Sequence, residues 1–369
     1  TWDVFHNGKS KLYGFYGWYY ERIPNTLAIR ALTTEFFHFG MYTDYMLTQD
    51  GNDDWYNNYG YIYSYTNGIN PTQIVGGPGG EKIKGSFNKE TLLGRQNALQ
   101  PALNVGARLI YRELGRTIED ISLDGASTYI VTNPDKWTDV WCPDPFGRYW
   151  EEPDGTKHPY MWRFPKPTRI YKALELTVDK RFSNNWQMGG SYVLSRLHGN
   201  FEGLFSNDNG QLDPNISSKY DIPSLLVNGY GLLPNDRTHV LKLYGSYSFP
   251  WGLDLSGNFQ LQSGTPISKL GADDAYGINE GFCAQRGTAG RTPTTWTIDV
   301  GARYHFKLWK SDLGFRVDIL NLTNNQKTTV VDQTYNTEST ADVQTYPYFG
   351  LETEHQRARR VRLAIQWNF

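Results

Sequence analysis

Long segments that alternate apolar and polar residues, an excess of aromatic rings, and tight turns alternating with long polar connections predict an all-β, antiparallel transmembrane β-barrel wall of about eleven strands. The chain has 369 residues, a formal net charge of -2 and no apolar run long enough for a membrane-spanning helix. Only 39% of its residues are hydrophobic, which by itself resembles a soluble protein. Barrel walls hide their membrane signal, however, because residues facing lipid and lumen alternate and cancel. The 26 Tyr, 12 Trp and 18 Phe carry more weight, since rings with a polar tip collect where hydrocarbon meets water.

The last ten residues give the cleanest signal. Val361, Leu363, Ile365, Trp367 and Phe369 point one way, and Arg360, Arg362, Ala364, Gln366 and Asn368 the other. Ile170 to Phe182 sets Leu174, Leu176 and Val178 against Glu175, Thr177 and Asp179, and Trp186 to Leu194 repeats the pattern across a Ser183–Asn184–Asn185 turn. His239 to Phe249 and Leu253 to Leu261 are joined through Pro250, Trp251 and Gly252. A further hairpin runs from Trp296 to Phe306 and returns through Leu313, Phe315, Val317 and Ile319. Upstream, Leu103 to Arg112 alternates cleanly, with a weaker strand before it ending near Leu99. Leu12 to Tyr20 is too aromatic to orient, and Trp2 to Phe5 reads as the tail of an earlier strand. These strands exceed the usual five or six residues of soluble sheets and suit a tilted bilayer crossing.

The connections add sidedness. Long ones fall near residues 24–88, 118–168, 199–236, 264–293 and 323–356, and the strand count puts all of them at one end. A soluble sandwich has no reason for that parity. It predicts a bacterial outer-membrane barrel with periplasmic turns and C-terminus and extracellular loops. Glu175, Asp179, Asp254, Asp299, Arg303, Arg316 and Asp318 then face a wet lumen.

Five ordered segments carry a family resemblance: KLYGFYGWYYERIP (Lys11 to Pro24), YRELGRTIEDI (Tyr111 to Ile121), YKALELTVDKRFSNNWQMGGSYVLSRLHGNFEGL (Tyr171 to Leu204), NDRTHVLKLYGSYSFPWGLDLSGNFQLQSGTPIS (Asn235 to Ser268) and VDILNLTNNQ (Val317 to Gln326), with the terminal Phe369. In these the chain resembles the C-terminal half of a TonB-dependent outer-membrane receptor, in particular the Oar-like group whose N-terminal extension resembles a carboxypeptidase regulatory domain. Such receptors close with 22 strands around a plug. The resemblance therefore implies that residues 1–369 are one barrel segment, with plug, TonB box and N-terminal domain outside this sequence. It also implies that Val361, Leu363, Ile365, Trp367 and Phe369 form the signal read by barrel-assembly machinery, and that TonB acts through the plug.

Candidate chemistry is sparse. Asp50, Asn52, Asp53 and Asp54 have spacings loosely like a calcium loop but lack the glutamate at the twelfth position, so a solvated acidic turn is the favoured reading. Gly76 to Gly85 follows no apolar strand and opens no helix, so it reads as a loop rather than a phosphate cradle. The seven histidines show no metal spacing, no nucleophile-elbow or zinc-helix motif occurs, and no cofactor is implied. Glu352, Glu354 and His355 read as the polar approach to the last strand. Cys142 and Cys283 sit in loops, where a disulfide and two free thiols are both compatible with the sequence. The balanced charge argues against nucleic acid.

The loops carry rings that can bind sugars, peptides or a protein, or fold the loop on itself: Trp55 and Tyr56 in the first, Trp137, Trp141, Trp150 and Trp162 in the second. Function is expected to be ligand uptake through a plugged barrel, with the ligand unnamed and outer-membrane lipid as surroundings. The second reading is a structural or adhesive barrel that anchors surface loops. A soluble all-β carbohydrate binder or hydrolase is the third, and it would be recovered without detergent.

Overall fold

A computed structural model describes residues 1–3, 5–22, 36–39, 63–66, 74–75, 82–125, 129–144, 147–210, 217–273, 277–308 and 311–368. Eleven strands follow one another in a single antiparallel sheet, each beside its sequence neighbour: β1 (Trp2–Asp3), β2 (Ser10–Tyr20), β3 (Phe87–Gln100), β4 (Leu103–Arg116), β5 (Arg169–Ser183), β6 (Trp186–Gly199), β7 (His239–Ser248), β8 (Leu253–Gln262), β9 (Thr295–Leu308), β10 (Ser311–Leu320) and β11 (Arg360–Asn368). A two-residue spur, Gly231–Leu232, pairs with the end of β6. The eleven-strand expectation and its order hold, and the strand ends that bound the five long connections all lie at one end of the sheet.

Two details differ from the sequence reading. The β5–β6 turn is tighter, since Ser183 pairs with Trp186 and leaves only Asn184 and Asn185, both with positive φ (54° and 66°). Asparagine tolerates that left-handed conformation, and a two-residue turn of this kind matches the twist of the flanking strands. Strands β4 and β6 also run further than predicted, to Arg116 and Gly199. Alternation stops where the strands leave the apolar belt, but backbone pairing continues.

Register turns the alternation into two surfaces. On one face Leu93, Leu109, Leu174 and Leu194 lie side by side across four strands. Further along, Trp186, Tyr247, Leu255, Ala302, Val317 and Leu363 form another row. Leucines such as Leu109, at 56% exposed, are left uncovered on this face by the described residues, which is how a wall meets hydrocarbon rather than a second sheet. A shallow hollow at Gly245 and Gly257, bordered by Met188 and Leu255, interrupts it. β3 keeps its weak patterning, placing Arg95 and Asn97 on the apolar face, where Arg95 lies 6.0 Å from the Phe5 ring.

The opposite face is a polar ladder. Arg108 pairs with Glu175 and Arg112 with Glu90 across strands. Asp299 accepts from Asn258 Nδ2 (3.2 Å) and from the Asn321 backbone (2.7 Å), and Arg316 meets Asp318 at 2.9 Å. Rows that cross the sheet also climb. The row Arg95, Ala107, Leu176, Tyr192, Leu241, Leu261, Trp296 starts five residues from the turn end of β3 and finishes twelve from that of β9.

Candidate functional site

The sheet has little core of its own, and the buried side chains gather in the long connections. Ile121, Ile130, Cys142, Phe164, Phe201, Tyr220 and Leu226 form one cluster, with Leu114, Leu123 and Trp137 packed against it. These residues come from the β4–β5 and β6–β7 connections, which are further tied by the Ser217 backbone N–H donating to Glu119 at 2.8 Å. Short ladders stiffen the same region: Glu119–Ile121 with Ile130–Thr132, and Leu270–Asp273 with Gly277–Phe282 and Thr334–Asn336.

Buried ions lock one connection to the next. Arg286, 1% exposed, lies 2.9 Å from Glu202 and pairs with Asp208, joining the β8–β9 connection to the β6–β7 one. Lys219 donates to the carbonyls of Asn279 (3.0 Å) and Glu280 (3.2 Å) and sits 4.7 Å from the Phe282 ring centre. Arg291 pairs with Asp236. The β8–β9 connection is in turn held to the β10–β11 one, through Lys269 with Asp342 at 2.9 Å and the Ser268 N–H on Gln333 at 2.7 Å. Four long connections thus form one cap. Burial opposes charge on Arg286, yet Asp208 and Glu202 hold its guanidinium above its ordinary value. Burial pushes Glu202 up against the pull of Arg286, and lowers Lys219 despite Asp208 and Glu280. Glu119 is raised well above the carboxylate range by burial and by Asp120.

The four described tryptophan candidates separate into two kinds. Trp137 packs on the cap cluster and donates to Thr132 Oγ1 at 3.2 Å, and Trp162 stands opposite Cys142 and donates to Asp144 at 3.3 Å. Both rings are held by neighbouring side chains of the folded connections. Trp141 is 54% exposed beneath the Arg163 guanidinium (4.0 Å), and Trp150 is 47% exposed and stacked on His158 (4.1 Å). With Tyr149 and Tyr160 they place exposed rings along the hairpin whose paired segments are 142–143 with 161–162 and 149–151 with 157–159, Trp141 standing just before its first strand. Trp55, Tyr56, Asp50, Asn52, Asp53, Asp54 and Phe369 lie outside the described residues.

Val361, Leu363, Ile365 and Trp367 all project from one face of β11, in register with Ile319, Val317, Phe315 and Leu313. Glu352–His355 forms a small strand paired with Thr328–Val331, so the polar approach to β11 is itself a ladder. Cys142 and Cys283 are both buried and free, and burial lifts the Cys142 thiol to about 11. No group of three metal-ligating side chains comes together among the described residues. Reading the sequence missed Arg286, Glu202, Asp208 and Lys219, because nothing in their spacing distinguishes them from solvated loop charges.

A continuous antiparallel wall, apolar on one face and polar on the other, has the architecture of an outer-membrane β-barrel wall, and residues 160–287 match the family described as "Outer membrane beta barrel domain". Over 356 residues the chain is similar to the TonB-dependent transporter Oar of Myxococcus xanthus, at 31% identity, covering 90% of this chain and 32% of that protein. It spans about a third of the length of that curated relative. In structure it is similar to the outer membrane transporter YddB from Escherichia coli, with TM-score 0.52 and 13% identity over 99% of this chain and 39% of the other. A pyoverdine complex of P. aeruginosa FpvA gives TM-score 0.47 and 12% identity over 98% of this chain and 31% of that chain. The resemblance to the TonB-dependent outer-membrane group holds, and both the Oar and the YddB relatives are named as transporters.

Proposed function

We propose that the chain forms the C-terminal half of the wall, and most of the outer cap, of a TonB-dependent transporter that takes up a ligand across the outer membrane. One observation carries the reading: the strand ends that bound the long connections all lie at one end of a two-faced wall, and four of those connections knit there into a folded cap. In this reading the apolar face meets lipid and the ion-paired face lines the lumen. The cap is extracellular, while the tight turns and C-terminus are periplasmic. The remaining strands, the plug and the TonB contact belong to other parts of a longer polypeptide. Trp141 and Trp150, the rings the cap presents, are the candidate ligand or partner contacts, and the alternating face of β11 is the assembly signal. The same exposed hairpin favours a second reading, an adhesive barrel in which the cap contacts protein or matrix.

Two measurements test this. Intact mass and N-terminal sequencing of the protein from outer membranes should give one polypeptide about three times as long as this chain, judged from its coverage of Oar. A native chain of only this length overturns the half-barrel reading, and a long one without a plug favours the anchor. In intact cells a membrane-impermeant maleimide should label Tyr160→Cys in the cap and spare Trp251→Cys in a tight turn. The reverse pattern overturns the sidedness.

A further inference from the structure

The upper rim of the apolar face handles its cations in two ways. Lys89 on β3 stands opposite Glu113 on β4 and pairs with it at 3.0 Å. In the adjoining row Lys172 on β5 stands opposite Arg196 on β6, cation against cation, and both are exposed. Neither has a carboxylate partner among the described residues, and Lys172 has only the Tyr111 ring, 5.8 Å away. Like charges directly opposite in an antiparallel pair destabilise it. At the other end of the same face, Lys180 donates to the Ser183 and Trp186 carbonyls at 2.9 Å and lies over the Trp186 ring. The lower lysine is satisfied by its own turn, and the upper pair is not.

Position identifies the missing anion. Leu174 and Leu194 lie directly below Lys172 and Arg196 on the same face, beside Leu109 and Leu93. Their long side chains can reach up to the head-group level while their stems stay along the leucines. We propose that Lys172 and Arg196 clamp the phosphate of a membrane lipid whose acyl chains lie on the Leu109, Leu174 and Leu194 belt. A guanidinium beside an ammonium suits a phosphate oxygen set, Arg as a fork and Lys as a point charge. The inference rests on the membrane-wall reading but not on which end faces outward.

The test uses the full-length protein in detergent micelles doped with a bisphosphorylated glucosamine-based lipid, with bound lipid counted by native mass spectrometry. The double variant Lys172→Gln/Arg196→Gln should retain about a hundredfold less lipid, about tenfold for each of the two charge-assisted contacts removed. Lys242→Gln, which removes a lysine from the opposite face, should retain it. Arg196→Glu rebuilds the Lys89–Glu113 arrangement, so it should fold with higher heat resistance and lose the lipid. Equal retention by Arg196→Glu, or by the dephosphorylated lipid on the parent protein, overturns the clamp. Displacement by millimolar inorganic phosphate overturns the lipid in favour of a free-phosphate site. Recovery of the protein in the aqueous fraction without detergent signals instead that the wall reading has failed.

Discussion

The wall and the cap are built on opposite rules. In the wall, leucines and aromatic rings stand exposed and charges pair across the other face; in the cap, apolar side chains are buried and the ions Arg286, Glu202, Asp208 and Lys219 are buried with them. The wall borrows its apolar partner from the bilayer, and the cap must supply its own. The same chain therefore has two stabilities of different origin, one set by lipid and one by packing between distant loops.

Breaking the ion lock should be the largest effect. Arg286→Ala leaves Glu202 and Asp208 buried without their counter-charge, an expected loss of about 3–5 kcal/mol. It should be confined to the cap: limited proteolysis should cut within 200–238 and 263–294 while the strands stay protected. Cleavage throughout the strands would show that the two regions unfold as one.

Next comes the wall. Leu255→Arg or Val300→Arg should cost roughly 2–4 kcal/mol near the bilayer midplane, read from folding titrations into lipid vesicles. Asn258→Arg, on the polar face beside Asp299, should cost much less. Equal costs would erase the distinction between the faces.

Within the cap, Trp137→Ala should cost about 2 kcal/mol, part of the full large-to-small penalty because the ring is only partly buried. Trp150→Ala should leave cap stability within about 0.5 kcal/mol and act on ligand or partner binding alone. The two are separated by thermal unfolding and by binding to whole cells.

The smallest expected effect is a pH slope. Glu119 has a raised folded-state value, so its contribution to cap stability is fully present below the ordinary carboxylate range and lost as pH rises through that raised value. Glu119→Gln should flatten the slope of amide-exchange protection in 117–132. An unchanged slope would assign it to another buried acid such as Glu202.

This contrast also sets what was legible in the sequence. Period-two alternation marks β5 to β11 because each residue of the wall reports its face, and turn composition marks Asn184–Asn185 and Pro250–Gly252. The polar ends of β4 and β6 lose that signal where no hydrocarbon demands it. The cap was illegible for another reason: Ile121, Cys142, Phe201 and Tyr220 meet only in three dimensions and share no period. Trp137 and Trp141 are four residues apart, yet one is packed inward and the other presented.

The climbing row from Arg95 to Trp296 has a mechanical meaning. Each tight hairpin holds it level to within a residue, and the ascent occurs between strands joined by long loops, most of all from β8 to β9. A gain of about one residue per strand, with roughly 3.3 Å along a strand and 4.8 Å between strands, inclines the ribs about 40° to the pore axis. That pitch lies in the range of closed cylinders, so under the half-barrel proposal any further strands would carry the helix onward at the same slope for the ring to seal.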